Sequence, residues 1–425
     1  MAKTHGIRQN LGPFLWLVVN TVFIGLAVGV ERTIVPLLGH NVYHVGAVLT
    51  LSFIASFGLA KAPLNLVAGR WSDSVGRRRV LILGWVFGVP VVALLLGVHT
   101  WWAVIVANFF LGANQAFAWT MTINAQLDIA GPKQRGIAMG INEATGYIGV
   151  AVATWLAVYV TRWGGILRAP FVLEAAVVLG GLITSLFFIP DTRAYVLSET
   201  ALGSIRHYDH DVRQHTAWQS FLFASFREPS LSVASWAGLT NKLADTVAWG
   251  AMPLFLAARG LSLLDIGWVS GSYAVAWGVS QFGTGALSDV WGRKRPIVLG
   301  FLLLGLGLAG ITIARGMASW IALAILSGVG MALLYPNLNS AVSDLAPPDR
   351  RGSILGVYRL WRDGGYFVGG LLVGGLVAAI GARGAIDVIA ALVLMMAFTL
   401  MVRLRETHLR VASTANGQAR SAGQS

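Results

Sequence analysis

Twelve stretches of about twenty apolar residues recur along the chain, and that recurrence decides what it can fold into. A helix needs roughly 20 such residues to cross the hydrocarbon core of a bilayer. Inside that core each backbone N–H and C=O must be satisfied within the segment, so runs of this length form helices. They lie near 11–30, 45–68, 80–98, 102–127, 136–160, 169–189, 231–257, 264–284, 296–314, 319–343, 352–380 and 385–402. Short turns with Gly, Pro or charge join most of them. The first run follows Lys3 and Arg8 but exceeds a secretory hydrophobic region and has no small-residue cleavage site, so it is expected to be retained.

Composition agrees. Of 425 residues, 56% are hydrophobic and 12% charged, about half the charge of a soluble domain. A soluble enzyme and a disordered chain are both excluded. Thirty-one Lys and Arg against 18 Asp and Glu leave a net +13. Alternate loops hold twenty-one of these cations on one side, from Lys3 and Arg8 to Arg420, and six on the other: Arg32, Arg162, Arg168, Arg259, Arg315 and Arg383. The positive-inside rule then places both termini in the cytoplasm, with the chain in the plasma (inner) membrane. The charge reports topology, so no nucleic-acid partner is expected. The absence of cysteine excludes disulfides and thiolate metal sites.

The chain also repeats itself. The segment from Gly69 to Arg79 returns at Gly285 to Arg295, an offset of 216 residues. The same offset carries Gly84 to Gly300, Gly112 to Gly328, Asp128 to Asp344, Arg135 to Arg351, Gly136 to Gly352 and Gly140 to Gly356. Pro190-Asp191-Thr192-Arg193 after the sixth run is echoed by Arg405-Glu406-Thr407 after the twelfth. The expected architecture is an all-α membrane protein with 12 transmembrane helices in two pseudo-symmetric six-helix bundles. The N-terminal half covers 1–190, a cytoplasmic connector 191–230, the C-terminal half 231–403 and a disordered cytoplasmic tail 404–425. Parallel halves about a central path are a transporter architecture.

These residues resemble the major facilitator superfamily. Its signature Gly-x-x-x-Asp-x-x-Gly-Arg-Arg/Lys is met at Gly69, Asp73, Gly76, Arg77 and Arg78, and again at Gly285, Asp289, Gly292, Arg293 and Lys294. The acidic residue followed by Arg-Gly between helices four and five is met by Asp128 with Arg135-Gly136, and by Asp344 with Arg351-Gly352. The resemblance implies that Asp73 faces the start of the eleventh helix, that the Arg clusters pair with Asp128 and Asp344, and that the set is a cytoplasmic gate. Two departures from the drug:proton antiporters of the family stand out. Asn108 replaces their Arg in the fourth helix, and Gly146-Tyr147-Ile148-Gly149-Val150 lacks their Gly-Pro pair. Glu31-Arg32-Thr33-Ile34-Val35-Pro36 loosely resembles the acidic-x-Thr segment of that branch and leans toward export.

Charge within the apolar runs marks candidate function, because an ionisable group costs at least ~2.5 kcal/mol at mid-bilayer. Glu31, Lys61, Glu143, Lys242, Asp245, Arg362 and Asp363 stand out, with Arg359 beside the last pair and Tyr358, Trp361 and Tyr366 around it. Lys242 and Asp245 share a helix face and can neutralise each other. The four span cations, Lys61, Lys242, Arg359 and Arg362, suit an anionic or zwitterionic substrate, and Glu31, Glu143, Asp245 and Asp363 are candidate proton carriers. The resemblance implies that their helices line the cavity. Asn114, Gln115, Asn20, Asn241, Gln281, Asn337 and Asn339 are polar at similar depth, and Tyr335-Pro336-Asn337 is expected to interrupt the tenth run. Gly305-Leu306-Gly307-Leu308-Ala309-Gly310 fits a dinucleotide fingerprint but sits within an apolar run, so it is read as close helix packing. His207, His210 and His215 are read as part of a solvated connector helix.

The function expected is a secondary transporter moving a small organic solute by alternating access, coupled to protons, with a lean toward efflux by proton antiport. Proton-coupled uptake of an organic anion is the second reading, and a non-transporting membrane sensor on the same scaffold the third. No cofactor and no enzymatic activity are expected, and the partners are the substrate, protons and the lipid bilayer around a monomer.

Overall fold

The structure, a computed structural model, describes residues 5–131, 134–192, 195, 217–346 and 351–407. Twelve long helices run back and forth through it. The first six are α1 (Leu11–Asn41), α2 (Ala47–Val75), α3 (Arg77–Gly97), α4 (Trp101–Ala130), α5 (Arg135–Gly164) and α6 (Ala169–Phe187). A short helix, Ala217–Leu222, and a π-helical turn, Phe223–Arg227, lead into α7. Helix α7 runs as Pro229–Thr246, a π turn at Val247–Ala251, and Met252–Ala258. Then follow α8 (Leu263–Trp291), α9 (Lys294–Ile313) and α10 (Met317–Leu345). The last helical stretch, Arg351–Arg403, breaks at Gly381 (φ 76°, ψ 168°) into α11 (351–380) and α12 (382–403). A left-handed φ is open to glycine and strained for other residues, which explains where that stretch divides.

The break in α7 has a local cause. Pro253 has no N–H to give the carbonyl four residues earlier, and the turn before it relaxes to π geometry. Tyr335-Pro336-Asn337 does not interrupt its helix as expected. Pro336 is absorbed within a continuous α10, where Asn337 donates to the Leu333 carbonyl at 2.7 Å. The segment holding His207, His210 and His215 lies outside the described residues.

Both described ends of the chain meet the same face of the bundle, here the terminal face. The Gly6 amide bonds to the Ile129 carbonyl at 2.9 Å, and Glu406 accepts from the Arg293 amide at 2.7 Å. Gly76 (φ 93°) and Gly292 (φ 85°) occupy equivalent turns of the repeat. A carboxylate sits against each: Asp191 beside Gly76 and Glu406 beside Gly292. Glu406 also accepts from the Lys294 amide, capping the start of α9. The echo between Asp191 and Glu406 in sequence thus reflects the same seat in both halves.

The halves meet along two helix pairs, α2 with α11 and α5 with α8. Small residues set how closely they approach toward the face opposite the termini. A Cβ on Gly370 of α11 would lie 2.5 Å from the Ala55 backbone nitrogen of α2, and one on Gly58 of α2 would lie 2.4 Å from the Phe367 nitrogen. Gly271 of α8 receives the Trp155 indole of α5, and Gly267 receives Val158. The bundle is therefore packed shut toward the opposite face. Glycines in α9 act likewise inside the C-terminal half, where Gly307 meets Ser327 and Gly305 meets Leu394, as expected for helix packing.

Candidate functional site

Polar residues from both halves converge on a cavity of about 570 Å³. Its wall includes Lys61 and Asn65 of α2, Gln115, Trp119 and Asn124 of α4, Tyr147 of α5, Lys242 of α7, Tyr335 of α10, and Arg359, Arg362 and Asp363 of α11. Asn124 lies six residues before the end of α4 and Arg359 eight after the start of α11, so the cavity extends toward the terminal face. On the other side Tyr147 stacks on Trp277 of α8, ring centroids 3.6 Å apart.

Two buried ion pairs organise the wall. Arg362 grips Asp363 through Nε at 2.7 Å and Nη2 at 3.0 Å. Asn65 donates to the same carboxylate at 2.6 Å and accepts from Thr120 at 3.2 Å, tying α2, α4 and α11 together. The Arg362 guanidinium lies 4.6 Å from the Tyr335 ring centre. Lys242 Nζ meets Asp245 at 3.0 Å and the Tyr366 hydroxyl at 3.0 Å. Asp245 also accepts from Trp249 at 2.7 Å and from Tyr366. Such saturation offsets the desolvation of a buried carboxylate.

Two further cations have no such partner. Lys61 Nζ has no carboxylate within ion-pair distance among the described residues and stands over Phe57, Trp119 and Tyr366, at 5.3, 5.6 and 6.0 Å from the ring centres. Arg359 likewise lines the cavity without an ion pair among the described residues. On the wall as a whole, four cations face one carboxylate.

The remaining candidates spread out. Glu143 of α5 is 2% exposed; neither carboxylate oxygen makes a hydrogen bond within the distance limit among the described residues, and the cations Arg362, Lys61 and Lys242 and the Trp119 indole bear on it. Glu31 lies inside the N-terminal half, where Oε2 accepts from Asn108 at 3.0 Å. Asn114 holds α4 to α3 through the Gly84 carbonyl at 2.8 Å, and Gln115 reaches the Ile24 carbonyl at 3.3 Å while touching the cavity. Tyr358 is buried against Gly238 of α7. Trp361 turns away from the cavity: it donates to Ser225 at 2.8 Å and packs on Phe221 and Trp236 beside the connector. An apolar position on α11 next to the incoming connector explains that direction.

Three residues not singled out in the sequence belong with these. Asn65 follows Lys61 by one helical turn, and that spacing puts both on one face. Glu174 carries the same signal as Glu31, a carboxylate in an apolar run, and is fully buried with neither oxygen hydrogen-bonded among the described residues. Arg32 was expected in an outer loop. Helix α1 instead continues to Asn41, so Arg32 is buried within the span at 2% exposure. Charge next to the end of an apolar run reads as a loop; packing alone extends the helix past it.

At the terminal face, Arg77 pairs with Asp128 at 3.2 Å and Arg293 with Asp344 at 3.4 Å, the same bridge in each half. Arg78 donates to the Ser185 carbonyl at 3.3 Å near the end of α6. Gly69 falls within α2. The helices carrying Asp73, Gly285, Asp289, Arg135 and Arg351 are described, but these side chains lie outside the described residues.

The family model for the Major Facilitator Superfamily matches residues 15–241 and 234–423. An uncharacterised MFS-type transporter of Salmonella typhimurium is 23% identical over 391 residues, 90% of this chain and 94% of that one. Another, of Methanocaldococcus jannaschii, is 30% identical over 125 residues, a match spanning 28% of this chain and 32% of its own length. Among solved structures, the nucleoside transporter NupG superposes with a TM-score of 0.72 at 15% identity, covering 92% of this chain and 100% of that one, a likeness of fold. With the repeated signature and the paired halves, these matches establish that the chain belongs to the Major Facilitator Superfamily, a family of multi-pass membrane transporters.

Proposed function

We propose that the protein takes up a small organic anion together with protons, with the cavity as its binding site and the terminal face in the cytoplasm. The observation that carries this reading is the charge of the wall: Lys61, Lys242, Arg359 and Arg362 against Asp363. Even with Asp245 neutralising Lys242, the wall keeps an excess of positive charge that a bound anion offsets. Glu143 is the proton carrier. An unpartnered buried charge costs several kcal/mol, so its proton occupancy follows the charge of the cavity beside it. An anion on Lys61 and Arg362 weakens the positive potential at Glu143, and a proton then binds there more readily. Anion and proton therefore favour each other's binding, which is the sign needed for symport. Export by antiport needs the two to compete, and an anion on this wall does not compete with a proton.

The Arg77–Asp128 and Arg293–Asp344 bridges act as parts of a cytoplasmic gate, which opens and closes as the two halves rock about the cavity. A thermal-shift panel of carboxylates, phosphate esters, amines and neutral sugars on the purified protein, at pH 6 and pH 8, tests the reading. Anions should raise the melting temperature, and more so at pH 6. Stabilisation by amines, with none by anions, would overturn it.

A further inference from the structure

We propose that the inner end of the cavity is a carboxylate-binding subsite built on Arg32, and that the transported anion is a small aromatic monocarboxylate. The inference rests on the anion-uptake reading and names its substrate class. Beyond the main cavity lies a second, smaller chamber. Lys61, Trp119 and Tyr147 line both spaces, so they are two ends of one path. Arg32 lines the inner chamber only.

The guanidinium is held but not satisfied. It lies 4.5 Å from the Phe57 ring centre, 5.0 Å from that of Tyr366 and 5.6 Å from that of Phe53. Both terminal nitrogens are buried and make no hydrogen bond among the described residues. The carboxylate next in sequence, Glu31, is turned to Asn108 instead. Asp245 lines the same chamber, but it is not within ion-pair distance of Arg32 among the described residues and already receives Lys242, Tyr366 and Trp249. A planar fork of donors with no acceptor matches a carboxylate, which takes two parallel hydrogen bonds. The same fork suits phosphate, yet the Asp245 carboxylate in the chamber wall repels a dianion more than a monoanion.

The walls choose the body of the ligand. Phe57, Trp119, Tyr147, Trp249 and Tyr366 surround the chamber with ring faces and edges. They favour a flat, unsaturated group over a sugar or an aliphatic chain. The subsite therefore selects one carboxylate on one ring, with Lys61 at the passage to the outer cavity.

Equilibrium binding of radiolabelled benzoate to the purified full-length protein tests this, with unlabelled acetate, benzamide and phenyl phosphate as competitors. Benzoate should bind, and each competitor should displace it about tenfold less well or worse. Arg32→Gln should weaken benzoate about tenfold or more, and Arg32→Lys should weaken it less, since it keeps the charge but loses the fork. Arg32→Lys carries the test if the glutamine variant fails to fold. Wild-type affinity in both variants, or acetate competing as well as benzoate, overturns the subsite. If acetate or succinate binds and depends on Lys61 but not on Arg32, the subsite fails while anion transport stands. If no anion binds at all, both fail.

Discussion

At the residue scale, the central issue is what each buried charge has for a partner. Lys242 and Asp245 are bound to each other, whereas the Glu143 carboxylate oxygens and the Arg32 terminal nitrogens make no hydrogen bond among the described residues. Removing one member of a buried pair typically costs about 3–5 kcal/mol, more than replacing both. Lys242→Met should therefore lower the melting temperature of the purified protein more than the double variant Lys242→Met with Asp245→Asn. Equal or additive losses in a double-mutant cycle would show that the pair contributes no coupling. Sequence made the intramembrane charges visible, because each is costly in lipid. It did not show which would be saturated: Asp363 is gripped by Arg362, its neighbour on α11, and by Asn65 from α2, whereas neither Glu143 oxygen makes a hydrogen bond among the described residues. Arg32 was hidden by its position at the edge of an apolar run, and Trp361 drew attention beside Arg362 although its helix face points to the connector.

At the element scale, helix number and order follow from apolar length alone, and the boundary errors fall where packing extends a helix. The break in α7 and the continuity of α10 show why proline is an ambiguous signal. Both helices contain one, and only the first relaxes into a π turn. The glycines of α2, α8 and α11 are more telling, since they let the two halves close opposite the termini. Gly370→Val places side-chain atoms against the Ala55 backbone, where a Cβ alone already falls 2.5 Å from its nitrogen. It should shift the protein toward the conformation open on that face. The native chain has no cysteine, so Val150→Cys, in the inner chamber, gives a single labelling site. A membrane-impermeant maleimide added outside cells should label it faster in the Gly370→Val background. Unchanged labelling would mean that this contact does not hold the face shut.

At the scale of the whole molecule, the repeat at 216 residues implies two related bundles and the sidedness of the cations implies an orientation, because both are properties of topology. The repeated bridges at Arg77–Asp128 and Arg293–Asp344 and the repeated carboxylate seats at Gly76 and Gly292 carry that symmetry into three dimensions. What sequence left open is how the two halves combine their charges into one net-positive cavity. The orientation has its own check. A fluorescent protein fused at the C-terminus should fold and fluoresce if that end is cytoplasmic, and an alkaline phosphatase fused there should be inactive. The reverse pattern would invert the cavity's access.

The central claim is that an anion and a proton bind together, and proton exchange on ligand binding reads it directly. Purified protein in a weakly buffered solution near neutral pH is mixed with a stabilising anion while a dye follows pH. Linkage requires that the wild type take up protons, so the medium becomes more alkaline. Glu143→Gln should bind the anion with little or no proton uptake. Proton release on anion binding, or uptake that is undiminished in Glu143→Gln, would contradict the proposed coupling.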